Sequence, residues 1–226
     1  MKKQNVKLIL LASLVTGLLS QGAMAATQGS TVKFHASVQD TTCNVSALNG
    51  TAGAASPVDF GYLSVADIAA GTPAQPVGTG SYNLLASTVT PVMLTVKGCS
   101  GTELLLGKGL ELSVNGAGAN SPAGDKASAN LYGDATTDHG FGFALGYSRT
   151  DNSTGNAKIN NGVADGTGFI LPSSGTLPLY KATAASNPGD LALMDVSVVI
   201  TPQIASWGTA QEGKLTVPVT FNVAMN

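Results

Sequence analysis

The stretch EGKLTVPVTFNVAMN (Glu212 to Asn226) places Leu215, Val217, Val219, Phe221, Val223 and Met225 at strict intervals of two. Only an extended strand brings every second side chain to one face, so this segment specifies a sheet with one buried side. Pro218 interrupts it without an N–H to donate, which predicts a position at a sheet edge. Long apolar edges template aggregation, and folded proteins normally blunt them with charge or cover them. The pattern therefore predicts a strand whose open side is kept for a partner.

The same alternation recurs in short pieces along the chain: Val32/Phe34/Ala36/Val38, Val92/Leu94/Val96, Leu110/Leu112/Val114, Phe141/Phe143/Leu145/Tyr147 and Val196/Val198/Ile200. Turn-forming Gly, Asn, Asp and Pro separate them, and no segment after the first 25 residues sustains a helical period. An all-β, antiparallel sandwich of one domain is expected. The stretches NGAGANSPAGDKASANLYGD and SRTDNSTGNAKINNGVADGTG read as loops or hairpin connections, and VADIAAG (Val65–Gly71) as one helical turn.

The start of the chain predicts its compartment. MKKQNVKLILLASLVTGLLSQGAMA carries Lys2, Lys3 and Lys7, an apolar run from Leu8 to Leu19, and Ala23-Met24-Ala25 as a small-x-small cleavage site. A membrane anchor is the rival reading, but the run is short for a span. Cleavage before Ala26 removes three lysines, leaving 8 Lys+Arg (11 less those three) against 13 Asp+Glu, a formal charge of −5. That balance argues against a nucleic-acid partner, which needs clustered basic residues. Cys43 and Cys99 are the only cysteines, and in an exported chain such a pair reads as a disulfide. The 56 positions between them make that cross-link worth roughly 4 kcal/mol in the chain-entropy model. A metal pair is the competing idea, and two isolated thiols make poor ligands.

Chemistry-bearing motifs are weak throughout. His35 falls on the polar side of an alternating strand. GDATTDHGFG sets Asp134, Asp138 and His139 close together, as a metal site would, but an Asp/Gly-rich turn leading into the Phe141 strand accounts for the same residues. There is no G-x-S-x-G elbow, and GKGLEL does not extend into a phosphate-binding loop. Neither a catalytic residue, a metal site nor a cofactor is expected.

The segment before the first cysteine, AATQGSTVKFHASVQDTTCNV, is longer than a strand entry needs. It opens loose and polar, then alternates through Val38. It resembles the mature N-terminus of type-1-like fimbrial subunits of the chaperone–usher pathway, which carry a small polar extension, a V-x-F alternation and a first cysteine in a T-C-x-V setting. VDFGYLSVADI (Val58–Ile68) resembles the family's following segment, PVMLTVKGCSG the strand ending on the second cysteine, and GFALGYSRTDN and LPLY later strands. Gly213 stands fourteen places from the end, where these subunits keep a glycine. Met225 occupies the penultimate place that is usually tyrosine there, and the cysteine spacing is longer than usual.

The resemblance implies a signal peptide over 1–25, a donor-strand extension over 26–39 and a pilin domain over 40–226. It implies an incomplete immunoglobulin-like sandwich lacking its last strand, with Leu215, Val217, Val219, Phe221, Val223 and Met225 lining an acceptor groove. Ser30, Val32, Phe34, Ala36 and Val38, behind the flexible Gly29, would be the donor residues that fill a neighbouring subunit by β-strand addition. Burying those apolar side chains is worth several kcal/mol at roughly 0.8 kcal/mol per CH₂. The implied partners are neighbouring subunits, a periplasmic chaperone, an outer-membrane usher and a host receptor, and the implied location is a fimbrium on the cell surface. Two other classes compete. One is a fimbria-associated adhesin or secreted binding module, beside which a surface-binding role built into the shaft subunit would use the loops around Asn115–Asp138. The other is an eight-stranded outer-membrane barrel, which an aromatic fraction of 5% disfavours because such barrels carry aromatic girdles.

Overall fold

The computed structural model describes residues 31–38, 43–48, 56–87, 89–99, 104–122, 125–212 and 214–225, with the backbone alone in Thr31–Val38. The expected signal peptide and cleavage site, residues 26–30 at the tip of the expected extension, and Gly213 lie outside the described residues.

The strands of the described residues form two sheets. The five-stranded sheet runs β10 (Thr176–Lys181), β7 (Gly109–Gly116), β12 (Thr216–Met225), β1 (Thr31–Val38) and β3 (Ser56–Asp59). The larger sheet is built on β11 (Asp195–Ser206). One side of β11 carries β6 (Val92–Lys97) with β2 (Asn44–Leu48) beyond it. Farther along that strand come β5 (Gly80–Leu84) and β4 (Thr72–Val77). Its other side pairs along eleven residues with β8 (Phe141–Asp151), which in turn carries β9 (Gly166–Ile170). Every strand pair is antiparallel except β1 with β12.

Period-two alternation is what places the core. In β6 and β11 every second side chain is buried, and the apolar triplets Val92/Leu94/Val96, Leu110/Leu112/Val114 and Val196/Val198/Ile200 all lie inside. They join Leu177, Leu179, Val217, Val219 and Phe221 in one cluster drawn from both sheets. Transfer of that much apolar surface out of water is the main force holding the sheets together. Cys43 and Cys99 form a disulfide, Cα–Cα 3.8 Å, across the ends of the neighbouring strands β2 and β6.

Among the described residues helix is confined to four pieces of four or five residues: α1 (Val65–Ala69), α2 (Ala127–Asn130), α3 (Gly155–Ile159) and α4 (Pro188–Leu191). The expected helical turn is α1. Ser64 accepts from the Asp67 N–H at 3.0 Å while the Asp67 carboxylate accepts from the Ser64 N–H at 2.9 Å, a reciprocal capping box. The two segments expected as plain loops hold more. The first contains α2 and a bridge from Tyr132 to Phe143. The second contains the end of β8, all of α3 and the start of β9. The bridge requires Gly142, because a Cβ there would stand 2.7 Å from the Tyr132 carbonyl oxygen. It lays residues 119–122 and 125–131 over the outer face of the larger sheet. There Ala119, Ala127 and Leu131 join Val77, Tyr82, Ala144 and Ala205 in a second buried cluster.

The predicted edge position of the C-terminal strand is corrected. β12 has β7 on one side and β1 on the other, and the edges of this sheet are β10 and β3. Pro218 is accommodated because the β7 ladder begins only at Val219, opposite Gly116, so Pro218 has a strand neighbour on one side alone. Pro57 and Pro178, by contrast, sit on the two edge strands.

Candidate functional site: the strand seat beside β12

The seat is built from β12. Leu215, Val217, Val219, Phe221 and Val223 are all buried, and the intervening positions Thr216 and Pro218 are exposed. β7 closes one flank over seven residue pairs, from Val219–Gly116 to Met225–Leu110. On the other flank lies β1, parallel and in continuous register over eight pairs from Thr31–Thr216 to Val38–Val223. Val32, Phe34, Ala36 and Val38 therefore stand beside Val217, Val219, Phe221 and Val223 in turn. The far side of β1 pairs antiparallel with β3, Thr31–Asp59 to Phe34–Ser56.

Every donor residue within the described chain is thus brought to the predicted acceptor strand, but inside one and the same chain. Met225 departs from its neighbours: it lies two residues past the end of β1 and is 43% exposed, so it carries no part of the shared wall. His35 stands in β1 beside Thr220. No ionisable residue lies at the buried positions of β12, so the seat offers shape, apolar surface and ladder bonds rather than acid–base chemistry.

Elsewhere the polar residues build structure. Asp134 Oδ1 accepts from the Thr136 N–H at 2.7 Å and the Thr137 N–H at 3.3 Å, and Asp138 Oδ1 from the Gly140 N–H at 2.8 Å. His139 Nε2 lies 3.6 Å from Asp134. These residues form the turn into β8; hydrogen bonds from Thr136, above all from its side chain, hold the Asp134 carboxyl down to about 2. Among the described residues no three His, Cys, Asp or Glu side chains converge as metal ligands.

A second charged group is buried. Arg149 donates through Nη1 to Asp165 at 2.9 Å and through Nη2 to the Leu179 carbonyl at 2.6 Å. Burial lowers its pKa, against the opposing pull of Asp151 and Asp165. Asp151 accepts from the Ser153 N–H at 2.9 Å and from Asn161 at 2.8 Å. Burial raises its pKa, but those bonds and the Lys158 charge outweigh it and leave the carboxyl below its usual range. Alternation did not reveal this network, since Arg149 and Asp151 sit at inward positions of β8 that sequence pattern assigns to apolar side chains. The signal available was their placement two apart, continuing the inward series Phe141/Phe143/Leu145/Tyr147.

No family model matches the sequence, and comparison with characterised proteins found no significant relative.

Proposed function

We propose that this protein is a structural subunit of a surface fimbria, exported through the periplasm and polymerised by exchange of its N-terminal strand between copies. In this reading the domain from residue 40 onward is an immunoglobulin-like sandwich short of one strand. The strand contributed by residues 26–39 fills its own seat in the isolated subunit and a neighbour's in the fibre. A chaperone and an usher handle the open form between those states. The single observation that carries the reading is the seating of β1. A segment outside the disulfide-closed span, which the proposed cleavage before Ala26 would leave tethered at one end only, lies between β12 and β3 and is the only strand partner of β3 among the described residues. Withdrawing it would expose one flank of five buried apolar residues. Strand addition by another copy would restore that flank, and head-to-tail repetition gives an open filament.

The test uses the chain from Asp40 to Asn226, refolded with its disulfide intact, and a synthetic peptide spanning Ala26–Gln39. The peptide is expected to raise the melting temperature by several degrees, and Phe34→Asp in the peptide to abolish the rise. The chain from Ala26 should in addition form a ladder of oligomers on slow concentration. A truncated chain indifferent to the peptide would sink the proposal.

A further inference from the structure

A cleft of about 260 Å³ opens where the end of β7 meets the turn into β10, lined by Ser113–Gly116 and Pro172–Thr176. Five of its side chains are uncharged hydrogen-bonding groups: Ser113, Asn115, Ser173, Ser174 and Thr176. No charged side chain lines it. None of these five side chains makes a hydrogen bond to another described residue, although four of them are exposed and close together. Their donors and acceptors face solvent and are available to a ligand that displaces it.

The walls are fixed in advance. The Val114 N–H donates to the Gly175 carbonyl at 2.5 Å, Gly175 N–H to Leu171 at 2.8 Å and Ser173 N–H to Ala129 at 3.2 Å, so the turn is pinned at both ends and to α2. Gly175 has φ +49°, and a Cβ there would stand 2.9 Å from the Val114 carbonyl oxygen, so no other residue keeps this turn so close to β7. A preformed concavity with dense, neutral, solvent-facing polar groups lowers the ordering cost of binding a ligand of matching chemistry.

We infer that this cleft binds neutral carbohydrate. An anion or cation would find no counter-charge, and an apolar ligand would bury the five polar groups without partners, which opposes binding. A saccharide presents adjacent hydroxyls that both donate and accept, as the lining does, and the Pro172 ring supplies a small apolar surface for its C–H face. With no aromatic platform in the lining, a dissociation constant in the roughly millimolar range is expected. The site lies apart from the β1 seat, and this inference does not rest on polymerisation.

The experiment is amide chemical-shift mapping of the full exported chain with mannose, galactose, glucose, N-acetylglucosamine and lactose, and sialyllactose as the charged comparison. At least one neutral sugar should shift amides confined to residues 113–116 and 172–176. The double variant Ser174→Ala/Thr176→Val, whose spectrum away from the cleft should match the parent, is expected to weaken that sugar about tenfold through two lost hydrogen bonds. Thr167→Val on β9, exposed and remote, should leave it unchanged. Silence across the neutral panel, shifts elsewhere, undiminished binding by the double variant, or preference for sialyllactose over lactose would each overturn the assignment.

Discussion

Two long strand pairs dominate this molecule, and they are held in different ways. β8 and β11 lie antiparallel along eleven residue pairs at the centre of the larger sheet, each entered and left by ordered chain. β1 and β12 lie parallel along eight pairs, and β1 precedes Cys43, outside the disulfide-closed span. In sequence the two pairs look alike, since all four strands contain apolar alternation. With the proposed cleavage before Ala26, what differs is the number of covalent tethers. A strand held at both ends leaves its place only when the domain unfolds, whereas one held at a single end can leave with its sheet otherwise intact.

The largest break in this contrast should come from the centre. Phe143→Ala removes a fully buried ring and should cost about 3–5 kcal/mol, read as a shift of the whole chemical-denaturation curve. Losing the cross-link by Cys43→Ser with Cys99→Ser should cost about 4 kcal/mol. It should also blur the contrast, because β2 and β6 then lose the closure that sets them apart from β1. Phe34→Asp should act more locally: amide exchange accelerates in β1 and β3 and along the flank of β12 that faces β1, while β8 and β11 keep their protection. Uniform acceleration everywhere would show that β1 is as integral as β8.

Smaller effects sharpen the picture within the larger sheet. Arg149→Met takes the guanidinium donor from the Leu179 carbonyl and from Asp165, which keeps only the Asp151 N–H, and should cost roughly 1–3 kcal/mol. Asp151→Asn gives the pH dependence its sign. The folded-state pKa of Asp151 is depressed, so its contribution is fully present above the unfolded value near 3.8 and is lost as pH falls through the lower folded value. The stability gap between parent and variant should therefore close as pH drops below about 4, and be flat from 5 to 7. Ser64→Ala, which removes only the cap of α1, should cost about 1 kcal/mol and fray that turn alone.

Much of this architecture is legible in the residues because alternation, disulfide chemistry and capping are local signals. Val196/Val198/Ile200 and Leu110/Leu112/Val114 face inward as their period requires, and Ser64 with Asp67 marks the start of α1. Pro218 misleads for a physical reason. A proline reports a missing N–H at one residue, and here that residue lies just outside the β7 ladder of a strand that is paired on both sides. Nor can alternation tell which sheet a strand will join. Val32 to Val38 would read the same beside its own β12 or another copy's, because register against a partner is a tertiary property. The covering of the outer face by Ala119, Ala127 and Leu131 was hidden similarly, since a Gly- and Asn-rich stretch shows nothing of the sheet surface it meets.

The shared direction of β1 and β12 turns the chain into a ruler. Thr31 lies opposite Thr216, and Met225 is nine residues farther along the same line, so the two ends of this layer are about 30 Å apart at roughly 3.3 Å per residue. Dyes placed at Thr31 and Met225 would then transfer energy at one fixed efficiency whenever β1 sits in its own sheet. Mixing singly labelled molecules should yield transfer only when the strand has changed owner. One spectroscopic distance thus reports custody of the strand, molecule by molecule, without any need to see a filament.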